Sequence, residues 1–131
     1  MGTRDWYAHL KKPTWAPPSW LFGPVWSVLY IVIAISFGSV FWLAVTGEIS
    51  AWLALPFVLN LVFNAAFTPL QFGLRSNALA AVDITLVLAT LIWAFVVIHP
   101  VMPWVVYANI AYLIWVSFAT VLQFTITAMN R

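Results

Sequence analysis

The chain has 131 residues, 65% of them hydrophobic, 18% aromatic and 6% charged, with a formal net charge of +2 and no cysteine. Soluble domains carry about 25% charged residues, so this composition excludes an ordinary water-facing globular enzyme. Its hydrophobicity is also the opposite of what disorder requires. An integral membrane protein remains, with room for one domain of about four spans at ~20 residues per helix. Five basic residues spread over separate segments form no nucleic-acid-binding patch. The lack of cysteine removes disulfides, zinc-thiolate sites and iron–sulfur clusters.

Residues 1–23 are polar, Trp-rich and Pro-rich, without the continuous apolar core of a cleavable signal. Pro13, Pro17 and Pro18 stiffen this segment, which reads as an ordered collar on the cytoplasmic membrane surface. An uncharged apolar run over 24–46 follows and closes at Gly47-Glu48. The second run, 51–72, ends at Gly73-Leu74-Arg75-Ser76-Asn77; the third, 78–98, stops at His99-Pro100; the fourth, 103–129, precedes Asn130-Arg131. Each is long enough to cross ~30 Å of hydrocarbon at about 1.5 Å per residue. The ten-residue alternation of a membrane β-barrel is absent. The expected fold class is all-α: an integral membrane protein with four transmembrane helices in a bundle, one domain over 1–131.

An even number of spans puts Arg4, Lys11, Lys12, Arg75 and Arg131 on one side, and the loops around Glu48 and His99 carry no Lys or Arg. The positive-inside rule then makes both termini cytoplasmic. Trp6, Tyr7, Trp15, Trp20 and Trp26 cluster at that boundary, with Trp42, Trp52 and Trp104 at the other, as an interfacial belt requires.

Polar residues at membrane depth face protein or a cavity. Asn60, Asn64, Phe67 and Gln71 share one face of the second span, where Pro69 frees a carbonyl and favours a kink. Asn109, Tyr112, Val116, Ala119, Thr120 and Gln123 form a comparable stripe on the fourth, with Trp115 at its edge. Spacing alone favours interhelical hydrogen bonding over a polar-lined cavity. Asp83 is expected to pair with Arg75 or to cap the adjacent loop, and a proton relay lacks further carboxylates or histidines along a path. His9 and His99 lie on opposite sides and cannot share a ligand. Ala34 and Gly38 form a small-xxx-small pair that permits close helix approach. No carboxylate pair, Ser–His–acid set, phosphate loop or metal cluster is present, so an enzyme is not expected.

The ordered motifs Trp6-Tyr7, Lys12-Pro13-x-Trp15-x-Pro17-Pro18-x-Trp20 and Pro24-Val25-Trp26-x-x-Leu29-Tyr30 closely resemble the tryptophan-rich sensory protein / translocator protein (TspO/MBR) family. The resemblance continues through Asn64, Pro69, Phe72-Gly73, Asp83 and Tyr112-Leu113-x-Trp115-x-x-Phe118-Ala119-Thr120. It implies a membrane protein that binds tetrapyrroles such as porphyrin or haem and takes part in stress sensing or pigment regulation. The implied ligand-binding residues are Trp26, Asn64, Trp115 and Ala119, with Trp15 and Trp20 in the covering loop. Flat aromatic rings suit a macrocycle and Asn64 suits a polar edge. The family has five spans, one of them before the Trp-Tyr motif, so the chain is expected to lack that first helix. Ala65, Phe67, Leu79, Ala111 and Gln123 depart from the family pattern, and Phe124 stands in the sterol-associated stretch, so cholesterol recognition is not expected.

Two functions follow. One is a tetrapyrrole-binding sensor or regulator in a bacterial cytoplasmic (inner) membrane. The other is an accessory subunit docking on a larger membrane complex, for which a photosynthetic light-harvesting–reaction-centre assembly is a natural host. A homodimer is a further way to cover the face that a missing helix exposes. Retained Trp26, Asn64 and Trp115 favour the first; the eroded second-span aromatics favour the second.

Overall fold

The computed structural model describes residues 13–16, 19–70, 74 and 76–130. Among them all regular structure is helical: α1 (Ser19–Val45), a 3-10 turn (Ala51–Ala54), α2 (Leu55–Thr68), α3 (Asn77–Ile98), α4 (Pro103–Ala108) and α5 (Ile110–Met129). Arg4, Lys11, Lys12, Arg75 and Arg131 lie outside the described residues, as do Trp6, Tyr7, His9, Pro17, Pro18, Gln71, Phe72 and Gly73.

Three stretches, Trp20–Val45, Asn77–Ile98 and Ile110–Met129, are long and apolar enough to cross a membrane. The remaining apolar helix, Ala51–Phe67, is shorter; at ~1.5 Å per residue its 3-10 and α turns together extend about 25 Å. At its end Pro69 keeps helical backbone geometry, and its carbonyl accepts from Leu74 N–H at 2.8 Å, so the chain runs on in a wider turn; residues 71–73 of the second run lie outside the described residues.

α1 begins at Ser19, five residues earlier than the apolar run, and carries Pro24 within it. Pro24 is the sixth residue of the helix, so its missing N–H leaves the Trp20 carbonyl without its intrahelical donor one turn in from the start. The end of α1 is a Schellman turn: Gly47 (φ 80°) donates to Ala44 O at 3.2 Å and Glu48 N–H to Leu43 O at 2.9 Å. Gly47→Ala is expected to cost about 1 kcal/mol in a detergent unfolding titration, because the left-handed conformation crowds a Cβ. Ser76 caps α3 by accepting from Leu79 N–H at 3.1 Å. Arg75, the partner expected for Asp83, and most of the adjacent loop lie outside the described residues.

The fourth run is one helix broken once. Asn109 has φ −104° and ψ 15°, and its side-chain Nδ2 donates to Val105 O and to Ser36 Oγ of α1, both at 2.8 Å. An amide inserted into the helix ladder is a recognised cause of such a bend.

α3 is the central helix: half of its most apolar window is buried inside the chain, against 28% for both α1 and α5. α2 and α5 pack along it, whereas α1 makes its close backbone approaches to the 3-10 turn and to α4. The main core joins Leu29, Ile33, Phe37 and Val40 of α1 with Phe57, Val87, Leu91, Val105 and Val116. A smaller cluster at the opposite end of α5 holds Leu122 and Ile126, with Ala16, Phe22 and Phe118 against it. Ala34 and Gly38 face outward, with open space where a Gly38 side chain would project, so the small-residue pair makes no close approach to another of the described helices.

Candidate ligand-binding site

The polar stripes meet as a chain of hydrogen bonds across four helices. Tyr30 Oη donates to Asn64 Oδ1 at 3.0 Å, and Asn64 Nδ2 donates to Tyr112 Oη at 2.8 Å. Tyr112 Oη in turn donates to Asn60 Oδ1 at 2.8 Å, and Asn60 Nδ2 reaches Val87 O at 2.9 Å and Thr90 Oγ1 at 3.2 Å. Asn60, Asn64 and Tyr112 are all buried. Each group in hydrocarbon needs such a partner, which is why the i, i+4 asparagines of α2 face α3 and α5. Gln123 and Thr127 bind Asn77 O in the same manner at 3.3 and 3.1 Å. The stripes therefore serve interhelical bonding, as spacing alone favoured. Asp83 is 4% exposed, and its Oδ2 is buried with no hydrogen-bond partner among the described residues.

Aromatic rings cluster beside this chain. Trp26 stacks on Tyr30 (5.4 Å between centroids, 29°) and meets Tyr112 and Trp115 edge-on at 6.2 and 6.4 Å. Trp115 also contacts Phe22 and Phe118, each at 5.8 Å, and its indole Nε1 is buried without a hydrogen-bond partner among the described residues. Trp15 closes the row with an edge contact to Phe118 at 5.7 Å.

Between α1 and α5 this cluster opens into an apolar groove of about 830 Å³. Leu21, Pro24, Val25 and Val28 form one wall, and Ile114, Trp115 and Phe118 the other. The groove exists because α1 stands off from α5 along this stretch and aromatic side chains bridge the gap.

Of the residues expected to bind ligand, Trp115 lines the groove, Trp26 touches Trp115, and Trp15 reaches it through Phe118. Ala119 is half-buried against the core one turn after Trp115. Asn64 is not on the groove: it lies behind Trp26, held by Tyr30 and Tyr112. Trp20 is 66% exposed and stands apart from the cluster. Tyr30, Phe22 and Phe118 join the site without having been singled out. A pattern of i, i+4 rings on α1 (Phe22, Trp26, Tyr30) was the available signal.

The family model described as TspO/MBR family matches residues 1–129. The chain belongs to the TspO/MBR family. It is 38% identical over 131 residues to Protein CrtK of Rhodobacter capsulatus, covering 95% of this chain and 78% of that protein. It is 34% identical over 129 residues to the tryptophan-rich sensory protein of Cereibacter sphaeroides, covering 96% and 77%. To the human translocator protein it is 35% identical over 129 residues, covering 96% and 75%. Family and hydropathy together make this TspO/MBR chain an integral membrane protein, and the family resemblance read from its tryptophan and proline motifs is correct.

Proposed function

We propose that this TspO/MBR chain is a tetrapyrrole-binding sensor or regulator without catalytic turnover. It crosses the bacterial cytoplasmic membrane four times, with both termini on the cytoplasmic side. The all-basic sidedness of its sequence supports the orientation. The shorter second helix makes the fourth crossing, its length accommodated by local bilayer thinning.

The observation that carries the binding reading is the groove between α1 and α5. Its volume lies within the ~300–1,000 Å³ of small-molecule sites, and Trp115 and Phe118 offer ring faces to a flat macrocycle. A haem here would be held by its ring alone, because none of the groove's lining side chains is a customary axial ligand. Trp15 packs on Phe118 of the groove wall, and Trp26 packs edge-on against Trp115.

Titrating the protein in nanodiscs with protoporphyrin IX, followed by tryptophan fluorescence, tests this. Saturable quenching is expected, weakened about tenfold by Trp115→Ala, since an aromatic contact is worth ~0.5–1.5 kcal/mol beyond its area. Quenching that never saturates, or that ignores both Trp115→Ala and Phe118→Ala, would remove the reading.

The alternative, an accessory subunit of a larger membrane complex or a homodimer, draws on one observation. Ala34 and Gly38 present a small-residue face with none of the described residues against it. Native-gel migration after mild solubilisation at native abundance discriminates: a free monomer counts against it.

A further inference from the structure

Asp83 is the only Asp, Glu, Lys, Arg or His side chain within the described helices. It lies roughly 9 Å inside α3 from Asn77, at about 1.5 Å per residue, flanked by the buried Ala80, Ile84 and Val87. The residue is 4% exposed, and its Oδ2 is buried with no hydrogen-bond partner among the described residues.

The elements packed on α3 bring no cation to it. α2 and the 3-10 turn carry no titratable side chain, α5 carries only Tyr112, and α4 only Tyr107. Tyr112 Oη is engaged by Asn60 and Asn64, and Tyr107 sits beside His99 at the far end of α3. The one titratable group of α1, Tyr30, donates to Asn64. Arg75 lies outside the described residues. Asp83, Val87 and Thr90 share one face of α3 at i, i+4 and i+7 spacing, and Asn60 of α2 binds Val87 O and Thr90 Oγ1. The short connection makes α2 and α3 antiparallel, which sets Asp83 level with the last turn of α2. A helix's carbonyl end carries partial negative charge and disfavours a neighbouring carboxylate. An ionised carboxyl at this position lacks a counter-charge, whereas the neutral acid needs none.

We infer that the folded chain holds Asp83 as a neutral carboxylic acid, which acts as a proton-operated latch on the α2–α3 seam. With the proton in place the seam is dry and closed. On release the acid's O–H bond breaks, the electron pair stays on Asp83, and the proton passes to water at the boundary where α3 begins. The carboxylate then draws water between the helices, one turn from the bonds by which Asn60 holds Val87 and Thr90. This device is independent of what the groove binds.

The test is equilibrium unfolding in mixed micelles against pH for the unmodified chain, Asp83→Asn and Arg75→Gln. Unfolding exposes Asp83 to water, where an aspartate ionises near pH 3.9. The folded chain then holds one proton more than the unfolded chain, so its stability falls as pH rises. Relative to Asp83→Asn, the folding equilibrium constant should drop up to tenfold per pH unit from about pH 4 until the folded chain also releases the proton. Arg75→Gln should keep that slope. Infrared spectra in nanodiscs should show a carboxylic-acid C=O stretch that Asp83→Asn lacks, and hydrogen exchange in α2 should rise at the pH where the band vanishes. Should Asp83→Asn not fold, carboxyl-13C aspartate labels only Asp5 and Asp83, and Asp5→Asn isolates the Asp83 band. Stability that instead rises with pH through the acid range, and loses that rise in Arg75→Gln, identifies a carboxylate paired with Arg75 and overturns the latch. A flat difference from Asp83→Asn, an absent acid band, or α2 exchange that ignores its loss also overturns it.

Discussion

Tyr112→Phe is expected to destabilise the protein by about 1–3 kcal/mol, more than any other loss of a single oxygen atom in the bundle. The hydroxyl accepts from Asn64 and donates to Asn60, so its removal strips two buried amides at once. Interhelical hydrogen bonds in membranes average ~0.6 kcal/mol and reach ~1.7, and the upper part of that range applies where no water can replace the partner. Tyr30→Phe removes one half-exposed bond and should cost under about 1 kcal/mol. Equilibrium unfolding in mixed micelles measures both. The double variant Asn60→Leu with Tyr112→Phe should cost less than the two singles added together, because each alone leaves the other's group unpaired. Strict additivity would mean that the bonds do not act as a network.

Phe37→Ala is expected to cost about 2–3 kcal/mol in the same titration. Phe37 is 1% exposed, meets Phe57 edge-on at 4.8 Å, and lies 6.4 Å from the Tyr112 ring. Soluble cores lose ~3–5 kcal/mol on Phe→Ala, but lipid tails solvate an apolar ring as well as protein does, so the remaining loss here is packing. The site matters because α1 stands off from the other long helices along much of its length. Phe37 and Phe57 are one of the few places where it is bridged to α2. A Phe37/Phe57 double-mutant cycle should return a coupling of ~0.5–1.5 kcal/mol. A coupling near zero would show that α1 is held through its other contacts, the 3-10 turn, α4, the Tyr30 bond and the Trp26 and Phe22 ring contacts to α5.

Helix positions were legible from apolar runs and turn residues. The third run, 78–98, matches α3 almost to the residue, because a capping serine and a His-Pro pair bound it. The first was read five residues short, because Pro24 looked like a boundary yet is accommodated near the start of α1. The bend at Asn109 was invisible, since it depends on Ser36, 73 positions away in sequence, accepting its amide. At the site, the α2 asparagines were legible as one face, but their partners were not. Tyr112 could be placed on a stripe of α5, while Tyr30 was legible only as the last residue of a motif, with nothing to show that its hydroxyl meets Asn64. Trp15, Trp26 and Trp115 gather around the groove; Trp20, with the same motif standing, points outward.

Composition and motif order by themselves determined that this is a membrane protein of the TspO/MBR family, because charge scarcity and ordered tryptophan–proline spacing need no partner to be read. Tertiary structure alone decided which side of each helix packs. α1 and α3 are apolar all round, and in lipid an outward face is as apolar as an inward one, so hydrophobic periodicity records no orientation. Only the few polar side chains carry that information, and each reveals its direction when its partner from another helix is in place. The groove between α1 and α5, and the tyrosine lying across Asn64, arise from that three-dimensional pairing.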